Sequence, residues 1–159
     1  MSGWTGSLVA VAVLVVATAG GLLLRRRNGL FRAIDPAVRA EPIEAAIDPM
    51  FVSLGVTPGT PVTLLQFSSA FCAPCRTTRV LCADVAERVD GVRHVEVDAE
   101  SHLEAVRALD IWRTPTVLVI DANGTVRRRA SGAPTRAQLL SAVAEVLPES
   151  EVVTSRMSE

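Results

Sequence analysis

Residues 67–82, FSSAFCAPCRTTRVLC, hold two cysteines three positions apart, Cys72 and Cys75, and a third cysteine seven positions later. The run VTLLQF at residues 62–67 has the length and the apolar character of a buried strand. Pro74 suits the first turn of a helix. Beyond it, apolar residues recur at helical spacing, namely Val80, Leu81, Val85 and Val89. The stretch therefore predicts a Cys-x-x-C pair at the junction of a strand and a helix.

This position gives the cysteine pair a specific chemistry. Unpaired N–H groups and the positive end of the helix dipole stabilise a thiolate at a helix N-terminus, which favours a nucleophilic Cys72. Cys75, one turn inside the helix, is close enough to attack a mixed disulfide formed at Cys72 and to release the product. The spacing is thus typical of a thiol–disulfide exchange site.

A metal site is the main alternative, with Cys82, His94 and His102 as the other candidate ligands. A structural zinc needs four ligands, and these three residues form no second paired motif. A copper-delivery module that uses the two thiols with one histidine stays open, as does an inert structural pair. Cys82 lies about 10.5 Å along the helix from Cys75, too far for a disulfide, so we interpret it as a buried thiol.

The rest of the chain predicts an α/β fold. Strands are expected over residues 92–97, 116–120 and 125–130, and helices over 101–109 and 135–147. Ser101 with Glu104 resembles a capping box, Thr135 is the expected cap of the last helix, and Asn123-Gly124 predicts a hairpin turn. The order β-α-β-α-β-β-α predicts a mixed sheet with helices on both faces.

The N-terminal segment predicts a membrane anchor. Residues 6–24 carry no charge, and a helix of this length spans roughly 28 Å, close to the hydrocarbon thickness of a bilayer. Arginines concentrate on its C-terminal side, so the positive-inside rule orients the chain. We expect a single-pass protein of the cell membrane with its domain on the cytoplasmic side, the extracytoplasmic face being the alternative. A cleaved signal peptide is the other interpretation, since residues 17–19 form an A-x-A-like site.

The remaining segments complete the predicted organisation. Residues 25–60 are expected to form a connector that packs in part on the domain, through apolar residues such as Phe31, Ile43, Phe51 and Leu54. The domain is expected over residues 61–147, and the polar residues 148–159 are expected to be a disordered tail. The net charge of −1 gives no reason to expect a nucleic-acid partner.

Two motifs together resemble the thioredoxin family over residues 61–147. One is the segment Phe67–Arg76 with its CAPC sequence, and the other is Arg113-Thr114-Pro115-Thr116, placed just before a strand. The resemblance implies that Cys72 is the nucleophile and Cys75 the resolving cysteine. It also implies a substrate-binding groove formed by Phe71, Ala73, Pro74, Thr114 and Pro115, in which Pro115 is cis and the backbone of Thr114 pairs with an extended peptide. Gly132 is expected beside the same groove.

The sequence departs from the commonest family pattern around this groove. Phe71 stands where these proteins have tryptophan, and Ala73 stands where they have glycine. Gln66 replaces a buried acidic residue and cannot take a proton from Cys75. His94 replaces a lysine, and it is either a substitute proton shuttle or a packed strand residue. These departures favour a specialised partner over general protein-disulfide reduction.

We therefore expect a membrane-anchored thiol–disulfide oxidoreductase that exchanges a Cys72–Cys75 dithiol or disulfide with its substrates. The expected partners are protein disulfide substrates, a thiol electron donor and the membrane. No organic cofactor or metal is expected beyond the redox-active pair. The alternative function is thiol-based metal delivery on the same fold. The run Arg127–Arg129 is interpreted as a solvated sheet edge, because charged edges discourage aggregation.

Overall fold

The computed structural model describes residues 3–27, 30–33 and 47–147 of the 159-residue chain. The helices are α1 Gly3–Arg27, α2 Pro49–Ser53, α3 Ala73–Arg88, α4 Leu103–Ala108 and α5 Arg136–Ala144. The strands are β1 Phe31–Ala33, β2 Val62–Ser68, β3 Val92–Asp98, β4 Thr116–Asp121 and β5 Val126–Ser131. The expected β-α-β-α-β-β-α order is thus found from β2 to α5.

The five strands form one mixed sheet in the order β1-β5-β4-β2-β3. Strands β2 and β3 are parallel, and the other neighbours are antiparallel. Alternate residues of β2 face opposite sides, so Leu65 and Phe67 pack with α2 and α4. Val62 and Leu64 pack with α3 and α5 on the other side. The prediction of a mixed sheet with helices on both faces is confirmed.

Of the two helix caps predicted from the sequence, one is confirmed and one is wrong. Thr135 forms the capping box expected of it, with Gln138 as its partner. The capping prediction for Ser101 is wrong, because its hydroxyl donates to the Asp98 carboxylate at 2.6 Å. Helix α4 instead begins after His102, whose side chain makes no cap hydrogen bond. The Ser101 hydroxyl is therefore bonded to Asp98 at the end of β3 and does not cap the helix.

The segment predicted as a connector contributes to the sheet and to the core. Strand β1 pairs antiparallel with β5, placing Phe31 opposite Ala130. Phe51 and Leu54 are buried among the side chains of one core cluster. Ile43 and the tail predicted over 148–159 lie outside the described residues.

Strand β5 lies between β1 and β4, so the interpretation of the run Arg127–Arg129 as a sheet edge is wrong. The edge prediction failed because the pairing of β1 depends on residues far away in the chain. Each arginine has a partner. Arg127 forms an ion pair with the Asp121 carboxylate at 3.8 Å, Arg128 pairs with Glu145, and Arg129 donates to backbone carbonyls of the segment after α4.

The membrane predictions are corrected by the helices themselves. Among residues 3–27, 30–33 and 47–147, no helix combines the length and the apolar character needed to cross a membrane. The predicted span over 6–24 is therefore not supported, and the predicted cell-membrane location with a cytoplasmic domain is wrong.

Candidate functional site

The two cysteines of the CAPC segment form a disulfide at the start of α3, with their Cα atoms 5.2 Å apart. Cys72 is the N-cap residue, and its sulfur accepts a hydrogen bond from the Cys75 backbone N–H at 3.1 Å. Cys72 is partly exposed, whereas Cys75 is 1% exposed. Cys72 is therefore the member of the pair that is accessible from solvent, and Cys75 is shielded.

The loop before β4 lies against residues 69–72, the connection between β2 and α3 that we call the cysteine loop. The peptide bond between Thr114 and Pro115 is cis, as the resemblance implied. The Thr114 hydroxyl lies 3.0 Å from that of Ser69, which joins the two loops through their side chains. Gly132 donates its backbone N–H to the Pro115 carbonyl at 2.8 Å. The structure thus connects the loop of Thr114 and Pro115 to the segment directly before helix α3, which begins with the other predicted groove residues, Ala73 and Pro74.

Exposed side chains surround this junction. Phe71, directly before Cys72, is 100% exposed, and Trp112, two residues before Thr114, is 87% exposed. Ala73 and Pro74 are also exposed. Large apolar side chains presented to solvent at one place are typical of a binding surface. These four exposed apolar residues lie close in the chain to the disulfide or to the cis peptide bond.

Gln66 lies beneath the cysteines and is completely buried. Its amide nitrogen donates to the Cys75 carbonyl at 3.0 Å and to the Ser68 hydroxyl at 2.8 Å. Its amide oxygen lies 3.2 Å from Nε2 of His94. Because an amide oxygen only accepts hydrogen bonds, Nε2 of His94 must carry the proton. The Gln66 side chain is thus held from both sides and itself holds the backbone of Cys75.

The network continues along β3 to Glu96, two residues after His94 and on the same face of the sheet. Glu96 accepts hydrogen bonds from Arg79 of α3, at 2.9 Å to one carboxylate oxygen, and from Ser68. Burial opposes ionisation of Glu96, but these hydrogen bonds prevail and hold its pKa below the usual range. Burial lowers the pKa of His94, helped by the charge of Arg79 and opposed by that of Glu96. His94 is therefore neutral at neutral pH and acts here as a hydrogen-bond donor.

Ser68, Ser69 and Glu96 belong to the site but were not among the residues predicted for it. The small polar pair Ser68-Ser69 at the end of an apolar strand was a signal that the chain turns into a polar site there. The contribution of Glu96 depends on the register that sets Gln66 opposite Glu96 across β2 and β3, and no local pattern reports it.

Cys82 is completely buried in the cluster between the sheet, α3 and α5, and it is not disulfide-bonded. Burial, and secondarily the charge of Glu96, raises the pKa of the Cys82 thiol to about 12. The thiol is therefore protonated at any ordinary pH, and the interpretation of Cys82 as a buried thiol is confirmed.

We expect Cys82 to resist alkylation in the folded, reduced protein. The thiolate is the reactive form, so iodoacetamide at pH 8 should label Cys72 and leave Cys82 unmodified, as peptide mass spectrometry would show. In guanidinium chloride, all three cysteines should be labelled. Labelling of Cys82 in the native protein at the rate seen in denaturant would contradict its burial.

The metal-delivery alternative needs side chains already placed to share one metal ion. No group of three or more His, Cys, Asp or Glu side chains is arranged to hold a metal ion within the described part of the chain. His94, the histidine considered as a partner for the thiols, is occupied with the amide of Gln66.

Comparison with known proteins agrees with this geometry. The family model described as Thioredoxin matches residues 55–145, more than half of the chain. The chain is 29% identical over 69 residues to Thioredoxin of Mycoplasma genitalium, covering 43% of this chain and 67% of that protein. It is 29% identical over 69 residues to Thioredoxin H5 of Oryza sativa subsp. japonica, covering 43% of this chain and 51% of that protein. The chain thus spans two thirds and about half of the lengths of these two relatives.

Two solved structures show the same fold. One is a mutant thioredoxin from Halobacterium salinarum, with a TM-score of 0.55, 18% identity, and coverage of 60% of this chain and 83% of that chain. The other is the reduced Schistosoma mansoni thioredoxin pre-protein, with a TM-score of 0.54, 24% identity, and coverage of 65% of this chain and 95% of that chain. Together the sequence matches support the predicted class of enzyme, a thiol–disulfide oxidoreductase.

Proposed function

The chain belongs to the thioredoxin family, and on that premise we propose that its Cys72–Cys75 pair undergoes thiol–disulfide exchange with protein substrates. A thiol donor then returns the pair to the dithiol form. One observation carries this proposal. The disulfide lies at the N-terminus of the 16-residue helix α3, with one sulfur partly exposed and the other buried. This asymmetry assigns different roles to two chemically identical groups.

The proposed reaction begins from the reduced pair. The Cys72 thiolate attacks one sulfur of the substrate disulfide, which forms a mixed disulfide and releases the first substrate thiolate. The Cys75 thiolate then attacks the Cys72 sulfur, which forms the intramolecular disulfide and releases the second substrate thiolate. Two electrons pass from the pair to the substrate. Two thiols of a donor then reduce the Cys72–Cys75 disulfide and are themselves oxidised to a disulfide.

The helix and the network beneath it prepare the two sulfurs for these steps. The backbone N–H of Cys75 already donates to the Cys72 sulfur, and the same donor stabilises the negative charge of a Cys72 thiolate. Gln66 holds the Cys75 carbonyl at 3.0 Å, so the first turn of α3 keeps its place when the disulfide opens. The exposed side chains of Phe71 and Trp112 are available for apolar contacts with the substrate peptide.

A single-turnover experiment tests the proposal. The full chain is reduced, freed of reductant and mixed with insulin, and its free thiols are alkylated at intervals and counted by mass spectrometry. We expect two protein thiols to disappear for each insulin disulfide reduced, with Cys72 and Cys75 recovered as a disulfide. The proposal fails if insulin remains oxidised while the pair stays reduced. A reduced pair that instead binds Cu(I) stoichiometrically, with no insulin reduced, would establish the metal-delivery alternative.

The uncharged Gln66 predicts a slow second step, because it provides no proton acceptor below Cys75. We expect Gln66→Asp to resolve the mixed disulfide faster than Gln66→Asn at neutral pH. The matched pair isolates the charge, since both side chains are one methylene shorter and equally lose contact with the Cys75 carbonyl. A positioned general base contributes about 10²–10⁴-fold, so a difference of at least about tenfold is expected.

The two variants are compared by the rate at which the second substrate thiolate is released in a single turnover, measured between pH 6 and 9. A buried carboxyl group ionises at a higher pH than an exposed one, so the advantage of Gln66→Asp should grow as the pH rises. Equal resolution rates for Gln66→Asp and Gln66→Asn over this range would show that the missing carboxylate does not limit the reaction.

A further inference from the structure

Arg129 of β5 reaches across to the end of helix α4. Its guanidinium donates through Nη1 to the Asp110 carbonyl at 3.3 Å and through Nη2 to the Leu109 carbonyl. Leu109 is the C-cap residue of α4. The last carbonyls of a helix lack partners within the helix and carry the negative end of its dipole. The arginine therefore supplies both the missing donors and a favourable charge.

This contact lies at the start of the loop that carries the predicted groove residues. We call residues 109–115 the groove loop. Asp110 has a positive φ of 52°, a conformation that costs energy in residues other than glycine, so the turn after α4 needs support. The Asp110 carboxylate then accepts a hydrogen bond at 2.5 Å from the indole N–H of Trp112. The position of Trp112 thus depends on the backbone that Arg129 holds.

The other end of the groove loop is attached to the end of the same strand. The N–H of Gly132, directly after β5, donates to the Pro115 carbonyl at 2.8 Å. Thr114 contacts Ser69 of the cysteine loop. Strand β5 therefore holds the groove loop at both ends, by a side chain at its start and by the backbone at its finish.

We propose that Arg129 is a positioning residue for substrate binding, which fixes the groove loop so that Trp112 and Thr114 meet the substrate peptide in one arrangement. This inference rests on the proposed function, because the groove matters only if a peptide disulfide is the substrate. Arg129 touches neither cysteine and acts through the loop. Because Arg129 holds the groove loop in place before the substrate arrives, less conformational entropy is lost on binding.

The geometry calls for arginine in particular. A guanidinium presents several N–H donors in one rigid plane, and here two of its nitrogens reach two successive carbonyls. The Nε atom is buried and has no hydrogen-bond partner within the described residues, so the head group is placed by the two carbonyls. A lysine ammonium at this position would reach one carbonyl at a time.

The test compares Arg129→Met with Arg128→Met in the full-length protein. Arg128 is the adjacent arginine, and it pairs with Glu145 at the end of α5, on the opposite face of the sheet. For Arg129→Met we expect a KM for insulin raised about tenfold, the order expected when hydrogen bonds to a charged group are lost. The kcat, the reduction potential of the pair and the rate with the small disulfide 5,5′-dithiobis(2-nitrobenzoate) should stay as in the wild type. Arg128→Met should leave all four quantities unchanged, and Arg129→Lys should fall in between.

Hydrogen exchange provides a readout that does not depend on activity. Backbone amides of residues 110–114 should exchange faster in Arg129→Met than in the wild type, and Arg128→Met should not change them. Unchanged exchange in Arg129→Met would overturn the proposal, as would a loss of rate that is equal for insulin and the small disulfide. If the wild-type protein reduces neither disulfide, the proposed function fails, and faster exchange in Arg129→Met would then show only that the loop is held.

Discussion

The Cys72→Ser protein will not reduce insulin at a measurable rate, a loss of at least about 10³-fold, since removal of a nucleophile costs an enzyme several orders of magnitude. The reason is positional as well as chemical. Cys72 is the partly exposed sulfur of the pair, and Cys75 is 1% exposed, so Cys75 has no access to a substrate disulfide. The hydroxyl of serine is not ionised at neutral pH and cannot replace the thiolate.

The Cys75→Ser protein should behave differently, although it will also fail to turn over. Cys72 remains able to attack, but no second thiol is present to resolve the product, so a mixed disulfide with the substrate accumulates. Intact-protein mass spectrometry would detect this adduct, and dithiothreitol would remove it. Cys82→Ala is the matched control, in which only the third cysteine is removed. It should keep wild-type turnover because the Cys82 thiol is buried and protonated.

Two outcomes would contradict this division of roles. One is an adduct that forms on Cys72→Ser as fast as on Cys75→Ser, which would make Cys75 the attacking residue. The other is full turnover by Cys75→Ser that disappears when Cys82→Ala is added, which would make Cys82 the resolving thiol.

Phe67→Ala should lower the free energy of unfolding by about 3–5 kcal/mol, the usual cost of truncating a buried phenylalanine. Phe67 is 0% exposed and packs in the cluster between β2, β4, α2 and α4. Its removal leaves a cavity beside the strand that leads into the cysteine loop. Urea denaturation followed by circular dichroism gives the change directly.

Phe71→Ala is the matched control for this measurement. The same residue type stands four positions later and is 100% exposed, so its truncation should change the free energy of unfolding by no more than about 0.5 kcal/mol. It should instead weaken the binding of insulin, because Phe71 contributes to the apolar surface at the groove. Similar stability losses for the two variants would show that Phe71 packs on the domain.

Much of the sheet could be predicted because its central strands are continuous apolar runs. Residues 62–67 and 116–120 were expected as strands, and they form most of β2 and β4 at the centre of the sheet. Both are buried on both faces, which keeps the signal strong along the whole run. The turn at Asn123-Gly124 likewise follows from the tolerance of glycine for positive φ, observed at 78°.

Strand β1 was not predicted, and its sequence explains why. It has three residues, Phe31–Ala33, too few for a periodic pattern. Among the described residues it pairs, antiparallel, with β5, a contact distant in sequence. Tertiary pairing of this kind overrides local propensity, and a single sequence carries little record of it.

The candidate site divides in the same way. Cys72 and Cys75 could be identified because a Cys-x-x-C between a strand and a helix is a local pattern. The network of His94, Gln66 and Ser68 could not, because it exists only through the parallel register of β2 and β3. His94 was considered as a proton shuttle, whereas its observed contact is a hydrogen bond to an amide that has no proton to exchange with Cys75.

The pairing of Phe31 with Ala130 has a consequence for the order of folding. It closes a loop of roughly 100 residues, and the entropy lost on closure grows with loop length. By contrast, β4 and β5 are joined by a short turn, and β2 and β3 by one helix. The central strands should therefore assemble first, and β1 should dock last and detach first. Of the five described strands, the one that comes first in the sequence is therefore the last to join the sheet.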